Sequence, residues 1–321
     1  MRAVRVNELG GSGVMVVEDV PKPVPGPGEV LVRMAGAGVN FVEVYHRNGL
    51  YPVKLPLTLG AEGAGEIVAV GEGTDPGRIG QRVASVDFNG SYAEFATAKA
   101  DRVAAVPDAV DDITAAGTLL QGMTAHYLLH DAYPVTDGDT VLVHAAAGGM
   151  GLLLTQLASR MGVRVIGTAS TPEKAELARE AGADEVLNYD DIAANVRELT
   201  DGAGVAAVYD GVGRSTFDAS LASLRLHGVL VSFGNASGKV EPLDLLRLIT
   251  AGSVYVIRPS LQHYVVTPEE FSRRARDVFD WVASDGLHIR IGGRYSLADA
   301  GTAHADLEAR RTTGKLVLIE S

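Results

Sequence analysis

Residues 140–151 read TVLVHAAAGGMG, a run suited to a buried strand followed by a turn of very small side chains that opens an apolar helical stretch. Such a turn can cradle a diphosphate. Backbone amides at a helix start reach phosphate oxygens only where side chains leave room, which is the reason for the G-x-G-x-x-G spacing of dinucleotide loops. Here Ala146 stands where the first glycine would be, and Gly148 and Gly151 keep the other two. Spacing alone is a weak signal, and a small-residue turn that merely packs a helix on a sheet would look similar. The context adds weight: a strand before, a helix without a side-chain cap after, and a second strand ending near Ala169, one βαβ unit on. The end of that second strand, GTASTPEK at 167–174, carries hydroxyls where an NAD site places a carboxylate for the ribose 2′-OH. Ser170 could hydrogen-bond a 2′-phosphate and Lys174 could pair with it, so NADPH is the expected cofactor. The plainer reading of Lys174 is a solvated helix lysine.

Composition removes several other chemistries. The 321 residues include no cysteine, which excludes disulfides, thiolate catalysis and cysteine-ligated zinc. None of the eight histidines is read as a metal ligand; His126 and His144 are read as local hydrogen-bonding residues. A formal net charge of −12 opposes non-specific attraction to nucleic acid or anionic membranes. No apolar run reaches the roughly 18 residues of a membrane span, and the N-terminus lacks the apolar core of a secretory signal, so a cytoplasmic address is expected.

These residues need elements to position them. The first hundred or so positions alternate short β-like runs (3–6, 29–35, 65–70, 82–86) with Gly and Pro, with no sustained helical period. The proline-rich segment 21–28 reads as an extended surface connection. From about residue 122 the texture becomes strand–helix alternation: strands at 141–144, 164–169, 185–188, 205–210, 229–233 and 253–257, and helices at 149–161, 172–181, 190–200 and 216–224. Gly162 and Gly182 read as glycines just past helix ends, and Thr171-Pro172 as an N-cap with proline in the first turn. Strands alternating with helices predict an α/β fold with a doubly wound parallel sheet. A helix at 268–284 and a last strand at 316–319 follow, and that strand has nowhere to pair except the first sheet. The expected organisation is a discontinuous mostly β domain (1–121 and 259–321) with a nucleotide domain (122–258) inserted, and a cleft between them.

The run AAAGGMG (145–151), with GVNFVEVYHRNGLYP (38–52), GAEGAGEIVAVGEG (60–73), VYDGVG (208–213), VSFGNASG, RPSLQ and the terminal GKLVLIE, resembles the zinc-free quinone oxidoreductases of the medium-chain dehydrogenase/reductase superfamily. The likeness runs nearly end to end. It implies a Rossmann domain, a GroES-like catalytic domain, NADPH, and a homodimer joined through the edge strand GSVYVI (252–257). By motif position, Asn40, Tyr45 and Tyr51 would face the cleft as catalytic residues, with Asn40 and Tyr45 also near the cofactor, joined by Phe233, Gly234 and Asn235. The family pattern carries cofactor contact over to Thr124, Gly148, Gly149, Met150, Gly151, Ser170, Lys174, Tyr189, Arg258 and Arg310. Asn40 replaces the catalytic cysteine of the zinc-dependent alcohol dehydrogenases, and their Gly-His-Glu becomes Gly60-Ala61-Glu62, so no metal is expected. A quinone is already an electrophile and accepts hydride without a Lewis acid, whereas an alcohol must first lose a proton. Enones or alkenals are the alternative acceptors, and a non-enzymatic NADPH- or RNA-binding role is the more distant alternative.

Overall fold

The computed structural model describes residues 1–319. The opening region contains β1 (Arg2–Val6), β2 (Met15–Asp19), β3 (Glu29–Val39), α1 (Phe41–Arg47), β4 (Leu57–Thr58), β5 (Gly63–Val70), β6 (Arg82–Ser85), β7 (Phe95–Lys99), β8 (Ala104–Ala105), α2 (Asp112–Ala116) and α3 (Leu119–Tyr127). Strands β1, β3, β5 and β6 fall close to their expected places, but β2, β4, β7, β8 and the three helices have no counterpart in the sequence reading. The helices are too short for an apolar period to repeat, and α1 is fixed instead by its N-terminus, where the Asn40 amide donates to the Glu43 carboxylate at 3.0 Å. The proline-rich segment 21–28 forms no strand.

The middle of the chain builds β9 (Thr140–Val143), α4 (Gly149–Arg160), β10 (Arg164–Thr168), α5 (Pro172–Glu180), β11 (Glu185–Leu187), α6 (Ile192–Leu199), β12 (Val205–Asp210), α7 (Phe217–Ser223), β13 (Leu224–Ser232), α8 (Leu246–Thr250) and β14 (Tyr255–Ile257). Six strands pair in the order β11-β10-β9-β12-β13-β14, every pair parallel. This is the doubly wound order of a Rossmann sheet, with the strand-order reversal between β9 and β12. Leu142, Ile166, Val208 and Leu230 from the four central strands share one buried cluster with Ile192, Val196, Phe217 and Leu221 from the helices on that face. Gly162 and Gly182 follow α4 and α5 with φ of +75° and +106°, and the Thr171 hydroxyl caps α5 by accepting from Lys174 N. Strand β13 starts earlier than expected because α7 runs straight into it, with a pairing irregularity and His227 at φ +58° in between.

The chain then adds α9 (Pro268–Ala283), β15 (Ile291–Ser296), α10 (Ala300–Glu308) and β16 (Lys315–Ile319). The last strand pairs antiparallel with β3 and parallel with β15, which extends the first region's sheet to the order β15-β16-β3-β5-β6-β8, with β7 also on β3. Two compact units result, residues 1–123 with 265–321, and residues 124–264. In the first, Val4, Val39, Tyr92, Leu316 and Leu318 share a core with Ala300 and Ala303 of the α10 helix. Among the described residues no helix is long and apolar enough to cross a membrane.

Candidate active site

In the nucleotide unit, the turn after β9 packs tightly with Ala146 in place of the first glycine of the expected spacing. The chain reverses at Ala145 (φ +51°), whose amide donates to Thr168 Oγ1 at 3.1 Å, and the Gly148 amide closes the turn on the Ala145 carbonyl at 2.8 Å. A side chain at Gly151 would drive into the Ala145 carbonyl and lie 2.6 Å from Ala146 Cα, so only glycine lets α4 pack this closely on the turn. The methyl of Ala146 fits because its neighbour on β10 is Gly167, where a Cβ would lie 2.8 Å from it. The absent glycine is thus compensated by one on the next strand. Within α4 the first internal bond is Leu152 N to Gly148 O, which leaves the Gly149, Met150 and Gly151 amides at the helix entrance.

A buried polar network underlies this turn. His144 meets Thr168 Oγ1 through Nδ1 at 3.1 Å and Ser220 Oγ through Nε2 at 2.9 Å, while Ser220 and Thr216 both donate to Asp210 Oδ2 at 2.8 Å. The other Asp210 oxygen accepts the Val212 and Gly213 amides at 2.8 and 2.9 Å. Ser220 spends its one proton on Asp210, so Nε2–H of His144 must donate and Nδ1 must accept from Thr168. Burial holds the His144 pKa below its usual value, with the Asp210 charge acting the other way, which keeps the ring neutral at neutral pH. His144 is the hydrogen-bonding residue expected, but its reach across β9, β10 and α7 is visible only in three dimensions.

The remaining expected residues of this unit lie past the carboxyl ends of parallel strands: exposed Ser170 after β10, half-buried Tyr189 after β11, Phe233 to Asn235 after β13 and exposed Arg258 after β14. Lys174 sits half-buried in the first turn of α5. Glu173, the one carboxylate in that turn, has its pKa lowered by hydrogen bonds to its own backbone and to Thr171, so its charge is turned onto the helix start. Gly234 packs on Gly211, where a Cβ would come within 2.8 Å of the Gly211 Cα, so the loops after β12 and β13 touch backbone to backbone. Asn235, in the amide orientation that satisfies both ends, donates to Gly234 O at 3.1 Å and accepts from Arg258 Nη2 at 3.0 Å. Arg258 Nη1 donates to Ser232 O at 2.8 Å. Thr124 is buried on α3. The His126 and His130 rings lie tilted to each other with centroids 4.6 Å apart, and His130 Nδ1 lies 2.8 Å from the His126 carbonyl.

In the first unit, Asn40, Tyr45 and Tyr51 come together around α1, with the Tyr45 and Tyr51 rings edge to face at 5.1 Å and the Tyr51 amide donating to the Tyr45 carbonyl at 3.0 Å. Arg310 lies elsewhere in this unit, exposed past α10 with φ +57°. Behind Asn40 is a charged cluster that sequence reasoning did not find. Lys315 Nζ pairs with Glu62 Oε2 at 2.6 Å and donates to Asn40 Oδ1, with both charged side chains almost fully buried. Glu62 also accepts from Asn40 Nδ2 at 2.9 Å and from the Leu120 amide at 2.8 Å. Nearby Glu43 is fully buried, which pushes its pKa up to about 7 against the opposing charge of Lys315. The available signal was a lysine opening an otherwise apolar final strand.

Two family models match the chain, one described as alcohol dehydrogenase GroES-like domain over residues 26–137 and one as zinc-binding dehydrogenase over residues 149–280. A quinone oxidoreductase of Pseudomonas aeruginosa is 44% identical over 99% of both chains. A 2-haloacrylate reductase of a Burkholderia species is 38% identical over 99% of this chain and 98% of its own. A mycobacterial protein solved in complex with NADPH superposes with a TM-score of 0.98 at 54% identity, covering 99% of this chain and 100% of its own. The zinc in one family name does not fit the donor atoms present. An ammonium holds Glu62 and Asn40, and among the described residues no group of three or more His, Cys, Asp or Glu side chains is placed to hold a metal. The chain belongs to the zinc-independent, quinone-oxidoreductase-like family of the medium-chain dehydrogenases/reductases.

Proposed function

We propose that this protein is an NADPH:quinone oxidoreductase that works without a metal. The observation that carries the reading is the diphosphate cradle at Gly148 to Gly151, backed at the end of β10 by a hydroxyl and an ammonium in place of a carboxylate. The NADPH named for the mycobacterial relative and the activity named for the Pseudomonas one support it. When bound, NADPH supplies the hydride. The amides of Gly149, Met150 and Gly151 receive the diphosphate at the positive end of α4, and Ser170 and Lys174 hold the 2′-phosphate. Tyr189, Thr124, Arg258 and the Phe233-Gly234-Asn235 loop line the rest of the cofactor's path, and Arg310 is a further candidate contact. Asn40, Tyr45 and Tyr51 orient the reacting groups, so that catalysis rests on proximity and on excluding water. Tyr45 is the candidate to protonate the reduced oxygen. Activated alkenes conjugated to a carbonyl or carboxylate are a second acceptor class, favoured by the 2-haloacrylate reductase likeness. A homodimer is supported by β14, which leaves one edge of the sheet open beside exposed Tyr255, Leu226, Leu246 and Ile249. The absence of nucleic-acid or anionic-membrane partners accords with the net charge of −12.

The test is NADPH oxidation over a panel of quinones and enones, with NADH and a chelator as controls. Quinone turnover unaffected by the chelator is expected. Lys174→Ala should weaken NADPH binding by about 1.5–3 kcal/mol, a charged hydrogen bond's worth, and leave NADH almost untouched. Equal losses for both cofactors would remove Lys174 from the phosphate site. Absence of turnover across the whole panel would sink the enzyme reading and leave a binding role.

A further inference from the structure

An asparagine carboxamide is nearly symmetric in shape, and only its neighbours decide which end carries the oxygen. At Asn40 that decision is made by a charge pair. A lysine ammonium has only donors and a carboxylate only acceptors, so the oxygen must face Lys315 and the NH2 must face Glu62, as observed. The site is built for this pair. A side chain at Gly38 would run into the Glu62 carboxylate and lie 2.9 Å from the Ala116 carbonyl, and one at Gly117 would lie 2.8 Å from the Lys315 Cγ. Both glycines therefore clear room for the charged chains. Lys315 opens the last strand, Glu62 precedes β5, and Asn40 joins β3 to α1, so three segments distant in sequence converge on one amide. Fold stability does not call for this arrangement, because a buried ion pair is commonly replaceable by apolar side chains at little cost. The Asn40 NH2 also approaches the Gly38 carbonyl, at 3.4 Å.

Resting on the reading that Asn40 belongs to the reductase site, we propose that Lys315 and Glu62 are positioning residues that clamp the Asn40 carboxamide in one orientation ahead of the reaction. Their charges cancel, so the clamp supplies orientation without adding net charge.

The test uses the full chain with Asn40→Ala, the charge-neutral double variant Lys315→Met/Glu62→Gln, and the triple combination. In the double variant the new amide oxygen at position 62 still accepts from Leu120 N. Measured are kcat and KM for a quinone, NADPH affinity by fluorescence, Tm, and the Asn40 side-chain amide signal in 15N spectra, assigned by its loss in Asn40→Ala. The double variant should keep Tm within a few degrees of the parent while kcat falls roughly 10- to 100-fold. NADPH affinity should hold, the amide signal should broaden or split, and the triple variant should be no slower than Asn40→Ala. Parental kcat with a sharp amide signal in the double variant overturns the clamp, as do losses that multiply in the triple. A parent chain that turns over no acceptor removes the function reading itself, an outcome distinct from an active parent whose double variant is equally active. If the double variant is too unstable to assay, Lys315→Arg decides: retained charge and orientation should rescue the amide signal and most of kcat, and failure of both counts against the clamp.

Discussion

Glu43 shows how one buried carboxyl makes stability depend on pH. In the unfolded chain it loses its proton near the ordinary value of 4.5, and in the folded protein near 7. Between those values the folded state binds more protons, so Glu43's contribution is most favourable below about pH 4.5 and declines as pH rises to about 7. His304 acts in the opposite sense, since burial and the Arg47 charge push its pKa down to about 3, and stability is lost as pH falls below 6.5. Comparing parent with Glu43→Gln cancels His304. The glutamine still accepts from the Asn40 amide, and the parent should lose on the order of 2 kcal/mol more than the variant between pH 5 and pH 8. Parallel denaturation curves at both pH values would show that Glu43 titrates normally. Neither the helix start at Asn40 and Glu43 nor the burial of Glu43 beside Glu62 and Lys315 was read from the sequence, the latter because those partners come from distant segments.

At the scale of elements, the turn from β9 into α4 is the proposed diphosphate site. Its small residues and the strand and helix around it were readable in order, since local periodicity and small-residue spacing are properties of neighbouring positions. The compensation of Ala146 by Gly167 was not, because it relies on the parallel pairing of β9 with β10. Gly151→Ala should force α4 away from the Ala145 carbonyl, lowering NADPH affinity by tenfold or more and stability by about 1–3 kcal/mol. Isothermal titration and thermal melts check both, and parental affinity in this variant would mean that the turn has slack which the 2.6 Å approach to Ala146 Cα denies. The short helices α1, α2 and α8 escaped sequence reading for a related reason, as fewer than three turns cannot display a period and their ends are set by side chains and packing.

At the scale of the whole molecule, the open edge of the six-stranded sheet is the surface to test. Among the described residues β14 pairs only with β13, and Tyr255 stands 62% exposed upon it. Sedimentation should show a dimer that Tyr255→Lys weakens, since a charge on a strand edge blocks pairing with a second copy. A parent chain that sediments as a monomer at tens of micromolar would end that proposal. By itself the sequence determined the two architectures, the return of the last strand to the first sheet, the small-residue turn into α4 and the lack of cysteine ligands, because each follows from local pattern or composition. Only the tertiary structure decided what those parts rest on. The His144–Ser220–Asp210 network under the loop and the Lys315–Glu62 clamp on Asn40 join residues far apart along the chain, and a buried charge has meaning only beside the partner that folding brings to it.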